Sequence, residues 1–292
     1  MHRSIIAISS VALGAAASAQ QASPVPQPVP QSTAQPTPRS PPRPAGDEAA
    51  ATARAAAIGV ALYTLDRAAW VASDAAVAAL SREALQQPGG WVIEPAADRG
   101  AVVTFYRGAL PDAQAVFVAT VRDGKVGDSR TVTGRVSLTP MQIHLAQARA
   151  TALAEASTRH FAPCTPAPFN PVVLPARTAD GPVAVYLLSA QLKNGEYPAG
   201  GHYRILIGAD GKVAGERAFT KGCLTLATPA LPKGAKPMGM FVNHLLDATP
   251  TEIHVFTSLT ARMPLFVGTP GGRVWQVAGP RITLIKAGGP EK

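Results

Sequence analysis

Two segments of the chain, DGKVGDSRTVT at 123–133 and DGKVAGERAFT at 210–220, agree at Asp, Gly, Lys, Val, Arg and Thr. Asp-Gly turns are common in unrelated hairpins, but here the matching Arg130/Arg217 and Thr133/Thr220 extend the likeness, and the same order of elements precedes each copy. In the first pass a helical, Ala-rich run over Asp47–Ile58 ends or breaks at Gly59, and Asp66 caps a helix to about Gln86 with Leu65, Ala69, Ala76, Val77 and Leu80 on one face. Strand-like runs follow at Trp91–Glu94, Val102–Arg107 and Ala115–Arg122, the last turning into Val126–Thr133. In the second pass Thr139 caps a helix, with Pro140 in its first turn, to about Ser157. Strands then follow at Val172–Pro175, Val183–Gln191 and His202–Ile207, turning into Val213–Thr220.

The predicted fold is therefore α+β: an internal duplication of a helix-plus-antiparallel-sheet unit, over 47–136 and 137–222, followed by a β-rich extension over 223–292. In that extension Glu252–Thr260, Pro264–Gly268, Val274–Val277 and Arg281–Ile285 read as short strands.

Register decides what the shared arginines do. A two-residue Asp210-Gly211 loop sets Arg204 opposite Arg217, a like-charge pair. A three-residue Ala209-Asp210-Gly211 loop with Gly211 left-handed sets Arg204 opposite Glu216 instead, and gathers Tyr203, Ile205, Ile207, Val213 and Phe219 with Arg217 on an apolar face. The same reading groups Val116, Val118, Val126 and Val132 with Arg130. Two equivalent guanidinium groups thus point toward covered surfaces, where each needs an acceptor. They read either as recognition of an anionic ligand or structurally, as ion pairs with a helix carboxylate such as Asp66, Asp74 or Glu155 or as arginines at a sheet edge whose heads reach water, and the structural reading is favoured. Asp66, Trp70 and Asp74, at four-residue spacing, form a further candidate ligand stripe, against which Asp66 as a cap and Trp70 as a shoulder of the core are the simpler assignments.

The start of the chain places the protein. Arg3, the uncharged apolar run Ile5–Ala17 and the small residues Ala17-Ser18-Ala19 read as an export signal over 1–19, and no later stretch is expected to be long and apolar enough to span a bilayer. Residues 20–46, with nine prolines between Pro24 and Pro44, read as a disordered tether. Fully extended as polyproline II, such a segment reaches on the order of 80 Å. In an oxidising compartment, periplasmic or extracellular, Cys164 and Cys223 are expected to bond to each other. The formal charge of +9 then points to anionic envelope polymers, lipid head groups or plain solubility rather than to nucleic acid, and the partner expected is an envelope protein or an anionic polymer.

Catalytic and metal signatures are scarce. The sequence has no GxSxG, phosphate loop, GxGxxG after a strand, SxxK, CxxC or HExxH, and none of its six histidines has a partner at motif spacing. No cofactor or metal is called for. The sequence thus reads as an exported, non-catalytic protein that binds a ligand or partner; a periplasmic hydrolase with a site assembled in space is the alternative.

Overall fold

The structure, a computed structural model, describes residues 45–96, 100–178, 180–228, 230, 232, 234 and 237–287. The expected export signal and all but the last two residues of the expected tether lie outside the described residues.

The described chain is α+β, with its C-terminal part rich in strands. α1 (Ala45–Ala79) and the short α2 (Arg82–Gln86) precede β1 (Gly89–Pro95), β2 (Ala101–Arg107), β3 (Gln114–Arg122) and β4 (Lys125–Thr131), which form an antiparallel meander in chain order. α3 (Pro140–Thr158) precedes a second antiparallel sheet made of β5 (Asn170–Leu174), β6 (Val183–Leu188), β8 (Tyr203–Ile207) and β9 (Val213–Ala218). Between β6 and β8 the chain detours through β7 (Glu196–Pro198), which pairs with β10 (Thr225–Ala227). The last unit is β11 (Met240–Asn243), α4 (Glu252–Ala261), β12 (Leu265–Thr269), β13 (Arg273–Ala278) and β14 (Arg281–Lys286). There β11 lies parallel to β12 and the rest is antiparallel, because α4 carries the chain back across the sheet between them.

Four expectations about helices are corrected. α1 does not break at Gly59 or restart at Asp66. Gly59 lies against α4, where a β-carbon would sit 2.5 Å from Val255 Cβ and 2.7 Å from the Glu252 carbonyl oxygen. The glycine that looked like a helix breaker is where two helices meet. The face that packs is Leu62, Leu65, Ala68, Ala72 and Ala76, while Val77, expected inside, is 61% exposed. Over Asp47–Ala79 α1 is also long and apolar enough to cross a membrane, contrary to expectation, and here its apolar face covers sheet and helix. Finally, Glu252–Thr260 is helical rather than extended. Its β-branched residues suggested a strand, but α4 is buried on nearly all sides, at Glu252, Ile253, His254, Val255, Thr257 and Ser258, and such a segment has no amphipathic period to read. α3 follows its local code, with the Thr139 hydroxyl accepting from Gln142 N–H and the Gln142 side chain accepting from Thr139 N–H.

The first two units interlock. α1 packs on the Ile93, Val103, Phe117, Ala119 and Val121 face of its own sheet and also meets Val172, Tyr186 and Leu188 of the second sheet. α3 packs on Val183, Val185, Leu187, Ile205 and Ile207 of its sheet and meets Val92, Tyr106 and Ala115 on the back of the first. Each helix therefore lies on the front of its own sheet and on the back of the other's. The last unit has its own core of Val242, Val255, Leu265, Val267, Trp275 and Val277.

The hairpin register differs from expectation in an informative way. The predicted loop forms: Gly208 N–H donates to Lys212 O, and Gly211 has φ +76°. But an irregularity follows, so that Ile207 faces Val213 while Leu206 faces Gly215, and Arg204 comes to lie opposite Arg217 after all. The first hairpin turns on two left-handed residues, Asp123 and Gly124, and is irregular too, with Val121 opposite Val126 but Ala119 opposite Ser129. In both, the extra residue comes just after the shared valine. Arg130 and Arg217 therefore both lie on the back of their sheets, Arg130 opposite Val118. Val126 is correspondingly on the front, and Tyr203, Ile205, Ile207 and Val213 pack toward α3 without Arg217.

Candidate functional site

The two arginines occupy equivalent places in unlike surroundings. On the back of the first sheet Arg130 is exposed, and among the described residues it has no ion pair. The back of the second sheet is covered by the segment leading into α4. There Arg217 donates to Asp247 Oδ2 and its guanidinium carbon stands 4.7 Å from the Phe219 ring centroid. Opposite it, Arg204 lies 3.4 Å from Glu252 Oε1, which also accepts from the Tyr186 hydroxyl at 2.8 Å. The like-charge pair is tolerated because each arginine meets a carboxylate from the last unit. None of the expected partners, Asp66, Asp74 or Glu155, is involved, and Glu155 instead pairs with Arg159 at 3.3 Å. Arg217 is thus half of a seam between units.

That seam holds a histidine cluster. Asp247 Oδ2 is also 2.7 Å from His244 Nε2, and His244 meets His254 edge-on, with ring centroids 4.7 Å apart. Burial alone raises the Asp247 carboxyl, but the hydrogen bond to His244 and the charge of Arg217 outweigh it and hold the pKa below its ordinary value. Burial pushes His254 down to about 3, so the ring is neutral, and its Nδ1 accepts from Thr251 N–H at 2.9 Å. A cleft of about 240 Å³ opens beside this cluster, lined by Lys221, Cys223, Leu245 and both histidines. Among the described residues no hydroxyl is hydrogen-bonded to His244, and no three His, Cys, Asp or Glu side chains are placed to hold a metal. Cys223 is bonded to Cys164, with Cα atoms 5.3 Å apart.

The Asp66, Trp70 and Asp74 stripe does not converge on one site. Asp66 caps nothing: it points to β5, where Asn170 Nδ2 donates to its Oδ1, and burial raises its pKa to about 6 despite that bond and nearby Arg67. Trp70 is 61% exposed, with the Arg67 guanidinium carbon 4.6 Å from its ring centroid. Asp74 is exposed.

The arrangement that does converge was not visible from spacing. A cleft of about 590 Å³ lies between α1, the β3–β4 turn and the end of α4, lined by Tyr63, Thr64, Arg67, Asp123, Lys125 and Arg262 among others. Three cations reach it from three separate elements against one carboxylate. At its far side Arg262 caps α4 at φ 51°. Glycine is the residue that adopts this cap without strain, and an arginine there costs roughly 1–2 kcal/mol. Such strain tends to cluster at ligand clamps and active sites. The traces in sequence were Lys125, which belongs to the repeated DGKV, and Arg67, next to the Asp66 stripe; Arg262 left none. No protein-family model, curated protein or solved structure matches the chain.

Proposed function

We propose that the protein is an exported, non-catalytic binding protein that holds an anionic ligand in the cleft between α1, the β3–β4 turn and α4. The observation that carries the reading is the placement of Arg67, Lys125 and Arg262, from three separate elements, around one cleft of about 590 Å³. Guanidinium groups bind carboxylate and phosphate through paired, charge-assisted hydrogen bonds, and the Tyr63 and Thr64 hydroxyls supply neutral donors beside them. The volume falls in the range of small-molecule sites, about 300–1,000 Å³. A carboxylated or phosphorylated sugar unit, free or at the end of an envelope polymer, has the right size and charge. Export is supported by the Cys164–Cys223 bond together with the apolar stretch near the start of the sequence.

Inorganic tripolyphosphate is a suitable first probe. Calorimetric titration of the chain without residues 1–19 should give saturable binding that weakens with salt, and Arg67→Ala/Arg262→Ala should abolish it while Arg130→Ala leaves it unchanged. Trp70, stacked beneath Arg67, should report the event as a change in fluorescence. Equal binding by the double variant would remove the cleft as the site.

A further inference from the structure

Among the described residues, the last sheet is covered on one face only. Met240, Val242, Leu265, Val267, Trp275 and Val277 turn toward α4 and form the core of that unit. The partners across the strands fix what the other face carries. Phe241 pairs with Phe266, Phe266 with Gln276, and Gln276 with Thr283, while Gly268 pairs with Val274 and Val274 with Lys286. Residues paired across a sheet share a face, so this open face holds two phenylalanines and a valine, with Arg281 and Lys286 at its β14 edge.

Two properties set it apart from an ordinary solvated sheet face, which alternates to polar residues outside. Its apolar side chains are not covered: Phe241 is 54% exposed, and Phe266 and Val274 are only half-buried. Its charge is of one sign, because the strands MFVN, LFVGT, RVWQVA and RITLIK contain no aspartate or glutamate. Exposed apolar groups bordered by cations and free of carboxylates match the chemistry of an anionic bilayer surface, where aromatic and aliphatic side chains enter the head-group layer and Lys or Arg meets lipid phosphate. A second copy presenting the same face would set like charges against each other and fits less well.

We infer that the open face of the β11–β14 sheet, through Phe241, Phe266, Arg281 and Lys286, docks the protein on an anionic lipid surface. The cleft bounded by Arg67 and Arg262 lies elsewhere and is not needed for this contact.

Vesicle sedimentation tests the inference with the chain lacking residues 1–19. Vesicles of phosphatidylcholine mixed with phosphatidylglycerol should retain the protein at low salt, and vesicles of phosphatidylcholine alone should retain little. Arg281→Glu/Lys286→Glu should weaken retention about tenfold or more, and Phe241→Ser should weaken it at unchanged charge, with thermal melting of both variants confirming that they fold. Arg67→Ala/Arg262→Ala should leave retention intact, which separates this contact from the ligand cleft. Absence of retention on the anionic vesicles, equal retention by both face variants, or self-association that depends on Phe241 would each overturn the inference.

Discussion

Gly59→Ala sets two effects of opposite sign against each other, and the geometry decides between them. In an exposed helix interior the change from glycine to alanine gains about 1 kcal/mol. At Gly59 the new methyl group would fall 2.5 Å from Val255 Cβ, 2.6 Å from its Cγ1 and 2.7 Å from the Glu252 carbonyl oxygen. None of these can swing aside, since two belong to a β-branched side chain buried in α4 and the third is backbone. Relief therefore requires α1 and α4 to separate, at the overpacking cost of roughly 1–3 kcal/mol. Because Tyr186 and Arg204 meet Glu252 on the same helix, the shift disturbs the seam as well, and the upper part of that range applies. The net expectation is a loss of about 1–2 kcal/mol, a fall in melting temperature of roughly 2–8 °C for a chain of this size. Urea denaturation should show a lower midpoint with an unchanged slope. Adding Val255→Ala should recover part of the loss in a double-mutant cycle, the backbone oxygen accounting for what remains. A variant more stable than the parent would mean that the crossing is loose and that Gly59 contributes only its poor helix propensity.

Three further outcomes are expected. Cys164→Ser/Cys223→Ser should cost about 4 kcal/mol in the chain-entropy account of the loop it closes, read as a lower midpoint in urea, and reduction of the parent should give the same shift. His202 is pushed down to about 4 by burial, with Nδ1 accepting from Ser189 N–H at 3.2 Å. Its neutral form stabilises the fold fully above pH 6.5, and that stability is lost as pH falls toward 4; His202→Gln should therefore flatten the melting temperature over this window. For Asp66, raised to about 6, the sign reverses: ionisation on going from pH 4 to 7 opposes the fold, so Asp66→Asn should raise the midpoint at pH 7 and leave it unchanged at pH 4, and an unchanged difference across that range would refute the assignment.

What could be read from the sequence was whatever is encoded locally. The Thr139 capping box, the left-handed Gly211 loop and the order of helix and strands in the first two units depend on neighbouring residues, and the disulfide followed from the cysteine count together with the expected compartment. What escaped was set across long distances. Gly59 breaks an isolated helix but suits a close crossing, and only the position of Val255 distinguishes the two cases. α4 is buried on nearly all sides, so its sequence carries no helical period. One extra residue after each shared valine reversed the faces assigned to the hairpins, and Arg217 found Asp247 in a segment whose role the sequence left open. The three cations of the candidate cleft come from α1, a turn and a helix end, and no spacing rule joins them.

The interlocking of α1 and α3 has a consequence for how the chain must mature. α1 is made first, yet its apolar stripe is covered only when sheets from both halves and α4, close to the end of the chain, have arrived. Contacts between such distant parts make folding slow relative to contacts between neighbours. Until then a helix long and apolar enough to enter a bilayer lacks its native cover, so the arrival of both sheets and of α4, rather than the formation of α1 itself, sets when the core can close.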